Sequence, residues 1–175
     1  CLLISSVFDG DMCMIDCSSE GTFSVLSNSD FETSSIEPCW VSNGEPIIIL
    51  NPINFSEAIQ ITGDYYIEQV INPIPIYNLE NACFNIIHPD QPGPVTIEWD
   101  YNDGSSGFFA SPSFSGEYTI NILSLIIQQA NDEDLSLTKI RVWGFSAGIE
   151  SITILDNFNF CSSTEIDSYL CDFNG

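Results

Sequence analysis

The segment GPVTIEWDYNDG, residues 93–104, alternates apolar and polar positions, with Val95, Ile97, Trp99 and Tyr101 on one side and Thr96, Glu98 and Asp100 on the other. Period-two alternation closed by Asn102-Asp103-Gly104 predicts a half-buried β-strand ending in a turn. GDYYIEQV, GEYTINILSL, LTKIRVWGF and ESITILDNFNF read the same way. EPIIILNP and VINPIPIY are short β-branched runs fenced by Pro46, Pro52, Pro73 and Pro75. Proline cannot donate to a ladder, so these runs suit strand ends or edge strands. Only LSLIIQQAND, starting at Leu123, has the character of a helical turn. Many short strands without alternating helices predict an all-β fold, a two-sheet antiparallel β-sandwich of the jelly-roll kind, because the apolar face of each sheet has to be covered by another.

The same alternation sorts side chains. Tyr65, Tyr66, Trp99 and Tyr101 are expected in the core, and Trp40 as a structural plug. In LTKIRVWGF, Ile140 and Val142 point one way while Lys139, Arg141, Trp143 and Phe145 point the other, so the chain's only two basic residues share an outer face with a tryptophan. Three readings of that face stand side by side: a glycan platform where sugar rings stack on aromatic rings, an interface with the acidic surface of another copy, or a second layer buried beneath a loop.

Composition bears on partners. Twenty-five acidic residues against two basic ones give a formal charge of −23 over 175 residues. That field repels phosphate backbones and anionic headgroups, so nucleic acid and membrane surfaces are excluded as partners. A hydrophobic fraction of 44% supplies enough apolar matter for one folded domain with tails. No apolar run approaches the roughly 20 residues that span a membrane, and no leader segment is visible.

Cysteines stand at 1, 13, 17, 39, 83, 161 and 171, which points to an oxidising, extracellular setting. Cys13, Cys17, Cys39, Cys83, Cys161 and Cys171 are the disulfide candidates, with buried free thiols and a thiolate metal site as the alternatives. Seven is odd, and Cys1 is left for an intermolecular bridge or a lipid. Asn54-Phe55-Ser56 is a glycosylation sequon. EWDYND, from Glu98 to Asp103, faintly resembles the E-x-D-x-x-E strand of jelly-roll glycoside hydrolases, but alternating acids are also what the outer side of a half-buried sheet carries. With one histidine, His88, and no phosphate-cradling glycine loop, the expectation is a non-catalytic protein.

The stretch SNSDFETSSIEPCW, from Ser27, resembles the opening of carbohydrate-binding modules with the galactose-binding-like jelly roll. ESITILDNFNF resembles their closing strand, and GEYTINILSL followed by LTKIRVWGF their penultimate strand pair. The resemblance covers residues 27–161 and implies a structural calcium (Ca2+) held by Glu32 and Asp156, with Asp30 as a further ligand and Asn157 departing from the family pattern. It leaves residues 1–26 as a cysteine-bearing extension, an edge or donor strand, and residues 162–175 as a cysteine-bearing tail. Two functions follow as expectations. One is an extracellular structural or adhesive building block whose partners are copies of itself, joined into a filament or surface matrix through the apolar N-terminal segment. The alternative is a calcium-stabilised carbohydrate-binding module whose partners are glycans.

Overall fold

The computed structural model describes residues 21–26, 39–145 and 151–164. Cys1, Cys13, Cys17, Asp30, Glu32 and Cys171 lie outside the described residues, as does the apolar segment expected to drive self-assembly. The described chain forms β1 (Phe23–Ser24), β2 (Val41–Ser42), β3 (Ile47–Leu50), β4 (Glu57–Thr62), β5 (Tyr66–Pro75), β6 (Leu79–Gly93), β7 (Thr96–Tyr101), β8 (Ser106–Ala110), β9 (Phe114–Asn121), a short helix α1 (Leu123–Gln129), β10 (Ser136–Trp143) and β11 (Ile152–Ser162). One sheet runs β3-β4-β11-β6-β9, with β1 paired to β11, and the other runs β2-β5-β10-β7-β8. The ladders are antiparallel, and the result is the expected β-sandwich.

The core lies between the sheets. The first sheet contributes Phe84, Phe158 and Phe160, and the second Ile67, Ile97, Trp99, Ile140 and Val142. Trp40 plugs it, fully buried with its ring edge-on to Phe158 at 5.8 Å. Two buried polar atoms are satisfied in series: Trp99 Nε1 donates to the Tyr101 hydroxyl (2.8 Å), which donates to the Ile126 carbonyl (2.6 Å) and ties α1 to the sandwich. The end of that helix also guards an edge. The Gln129 side-chain amide accepts from the Phe108 N–H and donates to the Phe108 carbonyl, both at 3.0 Å, occupying ladder positions on β8 that another strand would otherwise use.

Bulges keep the apolar side chains facing inward. In β11, Leu155 points into the core and Asp156 away from it; the irregularity between Asp156 and Asn159 inserts a residue, and Phe158 and Phe160 return to the core. The inserted Asn157 sits at φ 49°, a region asparagine tolerates better than most residues. In β10 a shift between Leu137 and Lys139 likewise buries Leu137 on the same side as Ile140.

Several expectations are met in detail. Strand β7 alternates as the sequence predicts, β3 is the proline-fenced edge of its sheet, and α1 falls on LSLIIQQ. Phe145 departs from the outer face assigned to it. Strand β10 ends at Trp143, the Gly144 N–H donates to the Tyr65 carbonyl (2.8 Å), and the chain leaves the ladder, so alternation stops. Phe145 then turns inward, buried against His88 at 4.4 Å between ring centroids and lying so close over Gly93 that a Cβ there would collide with it. Tyr65 and Tyr66 also leave the expected core. Ile67 takes the inward position, Tyr66 lies on the outer side of the second sheet, and Tyr65 is 45% exposed. The described part of the N-terminal extension pairs within its own sandwich, with Phe23 opposite Ser162, Ser24 opposite Cys161, and Val25 and Leu26 in the core.

Candidate functional site

The outer face of the second sheet collects side chains that no single segment of sequence places together. Register aligns Val41, Glu68, Arg141, Glu98 and Phe108 in one row across β2, β5, β10, β7 and β8. Adjacent strands lie about 4.8 Å apart, so the row extends about 19 Å. On one side of it Tyr66, Trp143, Thr96 and Ala110 form the next row, and on the other Val70, Lys139, Asp100 and Ser106.

Arg141 holds the centre. Its Nε and Nη2 donate to Glu68 Oε2 at 2.8 and 2.5 Å, and its Nη1 donates to Glu98 Oε2 at 3.1 Å. The guanidinium carbon lies 4.7 Å from the Tyr66 ring centre and 5.8 Å from that of Trp143. Those two rings meet edge-on at 4.7 Å. Desolvation alone would lower the Arg141 pKa, but hydrogen bonds and charge from Glu68, and then from Glu98, outweigh it and raise the pKa above its ordinary value. Lys139 Nζ pairs with Asp100 Oδ2 at 2.5 Å. Both cations are thus neutralised within their own sheet, which removes the charge that would have met another copy's acidic surface.

Two features suit this face to a polyhydroxylated ligand. Glu68, Glu98 and Asp100 each spend one oxygen on a cation, leaving the other as an acceptor. The side chains are fixed by ion pairs and ring contacts before any ligand arrives, so little conformational entropy is lost on binding. Of the four face residues expected from sequence, Lys139, Arg141 and Trp143 lie here and Phe145 does not. Tyr66 and Glu68 were missed because cross-strand register is absent from local sequence. Glu98 and Asp100 are outward-facing by alternation alone, but their cations arrive only through that register.

Asp156 lies on the other sheet and is buried. Its Oδ2 accepts from Asn51 Nδ2, from Asn54 Nδ2 (3.2 Å) and from Ser56 Oγ (2.9 Å). The sequon residues Asn54 and Ser56 therefore serve as donors to this carboxylate, with Asn54 itself exposed on the turn between β3 and β4. Among the described residues no group of three His, Cys, Asp or Glu side chains comes together. His88 is fully buried, stacked on Phe114 at 4.2 Å, with Nε2 3.2 Å from Thr153 Oγ1. Burial lowers its pKa.

No protein-family model and no curated protein matches the chain. Solved structures do. TmCBM61 in complex with β-1,4-galactotriose aligns over 79% of this chain and 97% of that one, at 15% identity and a TM-score of 0.51. The family 11 carbohydrate-binding module from Clostridium thermocellum, in complex with a β-1,3-1,4-mixed-linked tetrasaccharide, aligns over 75% and 91%, at 12% identity and a TM-score of 0.51. An exo-β-agarase aligns over 81% of this chain and 25% of that one, at 13% identity and a TM-score of 0.54. Among the described residues no helix is long and apolar enough to cross a membrane. The chain has the β-sandwich jelly-roll fold found in carbohydrate-binding modules.

Proposed function

We propose that the protein is an extracellular, non-catalytic carbohydrate-binding module whose glycan lies across the outer face of the second sheet. The observation that carries the reading is the Glu68–Arg141–Glu98 row beside Tyr66 and Trp143: a fixed fork of donors and acceptors against two aromatic rings. Sugars present ring faces and hydroxyls together, and this face offers a partner for each. Its length across five strands suits an oligosaccharide rather than a single ring.

An oxidising compartment is supported by the seven cysteines of the chain, of which Cys39, Cys83 and Cys161 are buried. Calcium belongs to the proposal only through the family resemblance, at Asp156 with Asp30 and Glu32; a rise in melting temperature with calcium, reversed by chelator and absent in Asp156→Asn, is its test. The building-block reading depends on the apolar N-terminal segment, and no described residue favours it. The deciding experiment is a glycan array with the native protein and Trp143→Ala. Binding to oligosaccharides that the variant loses is the expected result, and equal binding by both proteins would move the site off this face.

A further inference from the structure

We propose a second saccharide subsite at the corner where β2 and β5 meet the crossing to the first sheet, taking one further ring of a chain already bound along the sheet face; it rests on the glycan reading of that face. The corner is an open cavity of about 560 Å³ lined by Ser42, Asn43, Gly44, Glu45, Thr62 and Tyr65. Pockets for small ligands run from about 300 to 1,000 Å³, so there is room for a sugar ring.

The cavity is built rather than incidental. Asn43 Oδ1 accepts from the Tyr66 N–H at 2.7 Å, and Ser42 Oγ donates to the Tyr66 carbonyl at 2.7 Å while accepting from the Gly44 N–H at 3.1 Å. These bonds fix the polar wall to the residue whose ring is half of the aromatic pair on the sheet face, so the cavity lies one residue beyond that platform. Its own aromatic is Tyr65, 45% exposed and lying so close against Gly44 that a Cβ there would collide with the ring. A ring backed by main chain on one side and open on the other is a stacking surface, and Glu45 and Thr62 supply polar groups for hydroxyls. The cavity lining carries no basic side chain, so the ring it takes is neutral and hydroxyl-rich rather than sulfated or carboxylated.

The test is calorimetric titration of the full chain with a trisaccharide and a hexasaccharide from mixed-linkage β-glucan and from β-1,4-galactan, using native protein, Tyr65→Ala, Gly44→Ala and Trp143→Ala. Tyr65 is outside the core, and Gly44→Ala displaces the ring without removing it, so the two variants perturb the corner by independent routes. The expected result is a hexasaccharide preference of about tenfold in the native protein that both corner variants abolish while trisaccharide affinity is unchanged. A preference that survives both, with binding lost in Trp143→Ala, overturns the corner subsite and leaves the sheet-face reading standing. No binding of either series by the native protein overturns both.

Discussion

The two outer faces of this sandwich differ in what they do with charge. On the second sheet the outward side chains are half-exposed ions and rings: Glu68, Arg141, Glu98, Lys139 and Asp100 beside Tyr66 and Trp143. On the first sheet Ala58, Ile87 and Ile154 form a separate apolar cluster, buried like Asp156, Cys83 and Cys161 near them. A face that keeps paired charges within reach of solvent can exchange water for a ligand. Where the first sheet's outer face is buried, around Asp156 and this apolar cluster, its side chains hold the fold. Position in a jelly roll therefore does not mark the site; the retained, organised polarity does.

Removing one polar group from each face should separate these roles, and the largest effect belongs to the buried one. Asp156→Ala leaves the Asn51 and Asn54 side-chain amides without this acceptor and is expected to cost about 3 kcal/mol of folding stability by urea denaturation. A cost of a few tenths would mean that the carboxylate contributes nothing its neighbours cannot obtain from water. Arg141→Met on the second sheet is expected to cost about 1 kcal/mol of stability, since its pairs are partly solvated, but to weaken oligosaccharide binding at least about tenfold. Arg141→Lys should not restore binding, because an ammonium cannot reproduce the fork that spans Glu68 and Glu98.

That division was partly legible in the sequence. Strands of the second sheet, TIEWDY and LTKIRVW, alternate because one side meets water, and their outward residues could be named in advance. In the first sheet ITILDNFNF reads as a strand, but its neighbours Ile154 and Leu155 are both buried, in separate clusters, so periodicity does not show which side is the core, and NACFNIIH within β6 is not among the strands predicted. Phe145 lies two residues past Trp143, where β10 ends, so alternation no longer assigns its side. Tyr66 was misplaced because the Tyr65-Tyr66 pair offers two aromatic candidates and β5 begins between them. Register, which brings Glu68 and Glu98 to either side of Arg141, is a long-range property of pairing, and no window of sequence contains it.

The lone histidine sharpens the contrast between a buried and a solvated polar group. His88 is neutral between Phe114 and Phe145, and its pKa lies below the ordinary 6.5 because burial disfavours the cation. As pH falls below 6.5 the unfolded chain binds a proton that the folded chain refuses, so stability falls with pH until the folded pKa is passed and then levels off for this group. The difference in stability between the native protein and His88→Gln, followed by urea denaturation from neutral pH downward, is expected to shrink over that interval. A pH-independent difference would place the imidazole in contact with water.

The smallest effect is expected at Lys139. Its pair with Asp100 is 2.5 Å long, but the two side chains are 25% and 36% exposed. Exposed pairs of this kind contribute under about 1 kcal/mol. Yet Lys139 is one of only two cations in a chain of formal charge −23, so Lys139→Gln removes a local partner and also adds to general repulsion. Salt distinguishes the two: the screening length falls from about 10 Å at 0.1 M to about 3 Å at 1 M, which suppresses long-range repulsion before it suppresses a contact pair. If the destabilisation by Lys139→Gln disappears in high salt, the lysine acts through net charge. If part of it persists, the contact with Asp100 is what holds this end of the face in register with Arg141.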